Sequence, residues 1–108
     1  MDAIEKIRKF SSESELPLVA VVNNAGVSRT SPAEYHLLQD AKQVFDTNFF
    51  GVMDLVQLTL PLLRESKGRI IMVSSVAGKV GRPLSGVYTA SKFALEGFSD
   101  CLRREMIG

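Results

Sequence analysis

Two kinds of apolar pattern alternate along the chain. Ile4, Ile7 and Phe10 recur at three-residue steps in a charged background, which predicts the tail of an amphipathic helix broken by SSESE. LPLVAVV then runs without alternation and ends at NNAG, and RIIMVSS later repeats that character. Short β-branched runs that are apolar on both faces predict strands of a parallel sheet covered on both sides. The chain from Val27 to Leu38 reads as loop, with Ser31-Pro32 marking a turn.

Between the strands, a helical pattern extends from Asp40 to about Glu65, and Asp40 with Gln43 makes a capping box. Val44, Val52, Leu55, Val56, Thr59 and Leu63 share one side, while Phe45, Phe49 and Leu60 widen the apolar girth. Pro61 predicts a kink or an earlier helix end. Lys67-Gly68 closes the helix. After the second strand comes a glycine-rich loop, VAGKVGRPLSG. A last helix from about Val87 turns Ala94, Leu95, Phe98, Leu102 and Met106 inward.

The order helix-strand-helix-strand-helix predicts an open α/β sheet with right-handed crossovers. Two such strands do not make a whole sheet. Sheets have about four to six strands, and these two leave apolar edges open, so the chain reads as part of a larger α/β domain.

Length and charge narrow the functional classes. At 108 residues, 45% hydrophobic and 23% charged, the sequence is globular and holds one small domain. A net charge of +1 offers no electrostatic footprint for nucleic acid or an anionic membrane. A single cysteine, Cys101, excludes an internal disulfide and any multi-cysteine metal site, so no metal is expected. The longest apolar stretch, Leu16 to Val22, is too short to span a membrane, and the N-terminus carries no secretory signal pattern. An intracellular, cytoplasmic chain is the expectation; an anchor in a longer parent would lie outside this sequence.

Candidate chemistry gathers at the carboxyl ends of the predicted strands, where open α/β sheets bind ligands. Asn23-Asn24-Ala25-Gly26 closes the first strand, and glycine there admits close backbone approach, though an ordinary turn explains it too. Ser74-Ser75 ends the second, where a hydroxyl can bond a substrate oxygen or merely end a strand. Tyr88 and Lys92, four residues apart, share one helix face. A phenol is too weak an acid for base chemistry near neutrality, and a neighbouring ammonium favours its phenolate; a solvated face is the plain alternative. Asn48 is a lone amide in an apolar helical pattern, placed to patch a helix irregularity or to hold a water. His36 reads as a surface residue, Cys101 as a small packed side chain, and Arg103-Arg104-Glu105 as a solvated face.

Taken together, NNAG, the asparagine of DTNFFG, the serine of VSSVAG and YTASK stand in an order and spacing that resembles the classical short-chain dehydrogenase/reductase family. The stretch YTASKFALEGFSDCLRRE looks most like its retinol and hydroxysteroid dehydrogenase branches. The resemblance covers nearly the whole chain from Ala3 onward. It implies a Rossmann-like, doubly wound parallel sheet of which a central part is present, two strands with flanking helices.

The resemblance also implies a catalytic tetrad of Asn48, Ser75, Tyr88 and Lys92. Ser75 is preferred to Ser74 because it stands thirteen residues before Tyr88 and precedes Val76-Ala77-Gly78. Tyr88 would be the general acid or base, Ser75 would hold the substrate oxygen, and Asn48 would anchor a proton-relay water. Lys92 would bind the nicotinamide ribose and lower the Tyr88 pKa, with Asn23, Ala25 and Gly26 lining the cleft for NAD or NADP. The implied substrate is a small alcohol or carbonyl compound of lipophilic character, and the implied assembly is a homo-oligomer through the helices that follow the two strands.

The family's TGxxxGxG cofactor fingerprint and its C-terminal substrate region are absent from residues 1–108. The expectation is therefore a partial NAD(P)-binding domain that is inactive alone. The alternative expectation is a non-catalytic interaction module that joins full-length subunits through its long helices.

Overall fold

The computed structural model describes residues 3–106, with side chains from Glu5 onward, so the Ile4 side chain expected on the first helix lies outside the described residues. Six principal elements follow one another: α1 (Ala3–Ser14), β1 (Ala20–Asn23), α2 (Leu38–Phe45), α3 (Gly51–Ser66), β2 (Arg69–Met72) and α4 (Gly86–Glu105). Short turns of 3-10 helix occupy Ala33–Tyr35 and Val76–Gly78, and a π-helical turn, Asp46–Phe50, joins α2 to α3.

The strands pair in parallel, with Ala20 opposite Arg69 and Asn23 opposite Met72. Parallel pairing needs a crossover, which α2, the π turn and α3 supply as one long helical run. That run begins two residues before the expected capping box. Leu37 is the N-cap and offers no side-chain bond; Asp40 sits inside the first turn, where a carboxylate suits the helix dipole. Gln43 accepts a hydrogen bond from Arg29 instead (3.2 Å).

Pro61 neither ends nor shortens the helix, which continues to Ser66. It stands on the exposed side with Gln57, whose carbonyl loses its helical donor there and faces water. The helix stops where Lys67 turns left-handed (φ 54°) and the Gly68 N–H reaches back to the Leu63 carbonyl at 2.8 Å. Only glycine fits at 68, because a Cβ there would stand 2.5 Å from the Val19 carbonyl oxygen and 2.8 Å from Leu63 Cδ2.

The core forms where α3 and α4 lie on one face of the sheet. Val52, Val56 and Leu95 are buried at its centre, and Leu60, Ile70, Met72, Phe98 and Leu102 pack around them. The opposite face is open in this chain, with Val22 55% and Ile71 46% exposed. Cover on both sides was the expectation from two double-sided strands; α3 and α4 both take the Val21, Ile70 and Met72 side, so one face alone is covered. The second face has the composition of a surface that packs against further protein.

On α4, Leu95 is buried and Ala94, Phe98 and Leu102 are half-buried as expected, but Met106 lies past the helix end and is exposed. Cys101 is exposed rather than packed, because its neighbour Leu102 takes the inward position of that turn. No helix among the described residues is long and apolar enough to cross a membrane.

Replacing Gly68 by alanine is expected to destabilise the chain by about 1–3 kcal/mol, the usual cost of forcing atoms into occupied space. Urea unfolding measures this, and an unchanged midpoint would contradict the close approach of Gly68 to Val19.

Candidate active site

Asn48 is completely buried, and the π turn is what aims it. In that turn the Gly51 N–H bonds back five residues to the Asp46 carbonyl, so one extra residue is looped into the helix. A Cβ at Gly51 would lie 3.0 Å from that same oxygen, which is why DTNFF is followed by glycine. The Asn48 amide then meets the loop after β1: Oδ1 accepts from the Val27 N–H (2.8 Å), and Nδ2 donates to the Val27 carbonyl (2.9 Å). Its second N–H goes to Ser91 Oγ at 3.1 Å. Asn48 therefore sits at a helix irregularity, as one of the two sequence readings had it, and its amide also anchors the loop after β1, which neither reading foresaw.

Lys92 comes to this place from α4. It is 4% exposed, its Nζ stands 5.7 Å from the centre of the Tyr88 ring, and the two side chains share one face of the helix as their spacing implied. Among the described residues its hydrogen-bond partner is the Val73 carbonyl, at a long 3.4 Å. A buried ammonium carries three donors and is costly to leave unpaired. This one has donors to spare.

Gly26 completes the enclosure. A Cβ placed there would be 3.5 Å from Lys92 Nζ and 3.5 Å from Asn48 Oδ1, so the amide oxygen and the ammonium flank one small space beside the glycine. Asn23 is buried at the end of β1; its carbonyl accepts from the Val73 N–H (2.9 Å), and its side chain reaches the Met72 sulfur (3.4 Å). It ties the two strand ends together, while Asn24, Ala25 and Gly26 are exposed.

Ser75 caps the Val76–Gly78 turn, its Oγ accepting from the Ala77 N–H at 3.2 Å. That turn packs against α4. The Ser75 hydroxyl makes no hydrogen bond to Tyr88, Asn48 or Lys92 among the described residues, so its proton is uncommitted. Ser74 is the inward member of the pair: its Oγ is buried without a hydrogen-bond partner among the described residues, and a Cβ on Gly78 would lie 2.7 Å from it. The loop beyond, 79–85, is bound across to the loop after β1 by the Ser31 N–H donating to the Leu84 carbonyl (3.0 Å).

The structure therefore unites Gly26, Asn48, Tyr88 and Lys92, and sets Ser75 on the turn alongside α4. Sequence reasoning passed over Ser91. Its signal was a small polar residue three positions after Tyr88, on the same helical face as Lys92 and Leu95. His36 is half-buried, with its ring nitrogens near the carbonyls of Leu37 (3.2 Å) and Arg29 (3.4 Å). A groove of about 500 Å³ between α3 and α4 is lined by Leu60, Leu63, Ile70, Met72, Leu102 and Arg103 among others, and none of the candidate residues faces it.

Solved structures share this architecture. A short chain dehydrogenases/reductase from Saccharomyces cerevisiae superposes with a TM-score of 0.86 at 28% identity, over 94% of this chain and 41% of that one. A 4-hydroxyisoleucine dehydrogenase complexed with NADH gives 0.80 at 28% identity, over 95% and 46%. Both bear out the Rossmann-like parallel arrangement. A family model described as short chain dehydrogenase matches residues 1–108, and the chain belongs to that family. Relatives include mitochondrial D-beta-hydroxybutyrate dehydrogenase of Mus musculus, 38% identical over 96% of this chain, and retinol dehydrogenase 8 of Bos taurus, 47% identical over 81%. The chain spans about 30% of the length of these curated relatives, which fits the expected part of a larger domain.

Asn48→Asp replaces a donor by an acceptor facing the Val27 carbonyl and Ser91. It is expected to cost at least about 1–3 kcal/mol, the penalty for a mispaired buried polar group. Thermal melting checks it, and a melting temperature equal to the unsubstituted chain would contradict the bonding described.

Proposed function

We propose that this chain carries the proton-transfer part of an NAD(P)-dependent oxidoreductase that interconverts an alcohol and a carbonyl compound, with residues 1–108 forming part of its cofactor-binding domain. One observation carries the reading. A buried lysine with unspent donors lies over the face of a tyrosine and beside a glycine that keeps the space open.

That donor set fits a nicotinamide ribose. Lys92 has N–H groups for two hydroxyl oxygens, and the missing Cβ of Gly26 leaves room for them. Asn23 holds the strand ends in register, so that Ala25 and Gly26 line the same cleft. The bound cofactor supplies or accepts the hydride; the protein positions groups and manages the proton.

Tyr88 exchanges that proton with the substrate oxygen, and the Lys92 charge stabilises the negative charge that develops on the phenol oxygen. Ser75, whose oxygen is already bonded by the Ala77 N–H, has its own proton free to donate to the substrate oxygen. Asn48, held by Val27 and Ser91 beside Lys92, anchors the water through which protons leave. The relatives named as retinol and D-beta-hydroxybutyrate dehydrogenases support an alcohol substrate, and the former a lipophilic one.

Alone, the 108-residue chain is expected to show no turnover, since its described residues offer no glycine-rich phosphate turn. Grafted in place of the matching span of the 4-hydroxyisoleucine dehydrogenase, it is expected to support NAD-linked oxidation of that enzyme's own substrate. Tyr88→Phe in the graft should then lower kcat by about 10²–10⁴, the usual weight of a positioned acid or base. Turnover undiminished by that substitution would sink the reading.

A second reading, association with further subunits through α3 and α4, is favoured by Leu58 on α3 and Phe93 on α4, 39% and 48% exposed, and by Phe50 at the end of the π turn that leads into α3, 50% exposed. Sedimentation of the chain is expected to show a species heavier than 11.9 kDa. A monomer at every concentration would count against it.

A further inference from the structure

Ser91 lies between Tyr88 and Lys92 in sequence and is completely buried. Its hydroxyl donates to the Tyr88 carbonyl at 2.7 Å and accepts from Asn48 Nδ2 at 3.1 Å. The first bond is ordinary. Serine and threonine inside helices commonly bond back to the preceding turn, and buried Thr59 does so in α3, donating to Leu55 at 2.7 Å. The second is not local, since it crosses from α4 to the π turn, 43 residues away in the chain.

The pairing has a definite logic. Val27 fixes which end of the Asn48 amide is oxygen, because its N–H needs an acceptor and its carbonyl a donor. One amide N–H is then left over in a place closed to water. Ser91 takes it, and through its own proton passes the connection to the helical turn that bears Tyr88. The loop after β1, the π turn and the Tyr88 turn of α4 become one hydrogen-bonded unit.

We propose that Ser91 is a positioning residue of this site: its hydroxyl locks the Asn48 amide to the Tyr88 turn and so fixes Asn48 Oδ1 relative to Lys92. The proposal rests on the roles given above to Asn48, Tyr88 and Lys92, and it extends them to a side chain that touches neither substrate nor cofactor.

The test has a physical and a kinetic arm. In the 108-residue chain, NMR exchange of the Asn48 side-chain amide protons should be at least about tenfold slower than that of exposed Asn24, the factor that about 1.4 kcal/mol of hydrogen-bond protection carries. Ser91→Ala should speed Asn48 exchange by about tenfold, while Thr59→Val, which deletes a buried hydroxyl with a local bond alone, should leave it within about twofold. Asn48 exchanging as fast as Asn24 in the unsubstituted chain overturns the proposal, and that comparison stands even if Ser91→Ala does not fold.

In the grafted enzyme, Ser91→Ala should lower kcat by about tenfold or more with the KM for NAD within about twofold, the mark of misplaced groups rather than lost binding. An unchanged kcat overturns the positioning role. A graft without any turnover counts instead against the oxidoreductase reading, and the exchange comparison then decides for Ser91.

Discussion

A buried amide inside a helix must find three partners away from water, and the site is arranged around how Asn48 finds them. A regular α-helix offers its oxygen no donor, since the backbone N–H groups there are already paired. The π turn at Asp46–Phe50 loops in one residue, which reorients Asn48 toward the loop after β1. Gly51 permits it by giving the Asp46 carbonyl room. Val27 and Ser91 then pair both amide N–H groups, and Val27 also gives the amide oxygen a donor. The local irregularity, the loop conformation and the seating of α4 are consequences of one requirement.

From this follows the setting of Lys92. Burying an ammonium costs several kcal/mol unless its donors are met, and a chain with no functional reason to do so would let that side chain reach water. Here it is held beside the Tyr88 ring and the open space at Gly26 with, among the described residues, a single long bond to Val73. Stability alone does not favour such an arrangement. A site that receives hydroxyl oxygens does, and membership of the short chain dehydrogenase family gives that reading its context.

Much of this was legible in the residues. The two double-sided strands, their helical crossover and the shared face of Tyr88 and Lys92 follow from period and spacing, which depend on local geometry. What escaped was set by tertiary contacts. The capping box at Asp40 was displaced because the helix starts earlier at Leu38, and Pro61 was tolerated because the Gln57 carbonyl that it leaves without a donor lies on the exposed side of the helix. Cys101 looked packed because its neighbours are apolar, yet a single residue of helical phase turns it outward. Ser91 resembled any helical serine until its partner, 43 residues distant, was seen. The uncovered sheet face, finally, concerns packing that two strands and these helices do not supply to each other.

The central claim is that Asn48 makes the strand-end loop and the helical elements one unit, and the Val27 backbone amide reports on it directly. Val27 sits in an exposed loop, so without the bond to Asn48 its N–H has no reason to be protected. Native-state hydrogen exchange of the chain should show Val27 protected to the level of core amides such as Val56, well above its loop neighbours Ser28 and Arg29. Exchange of Val27 at the rate of those neighbours would contradict the account.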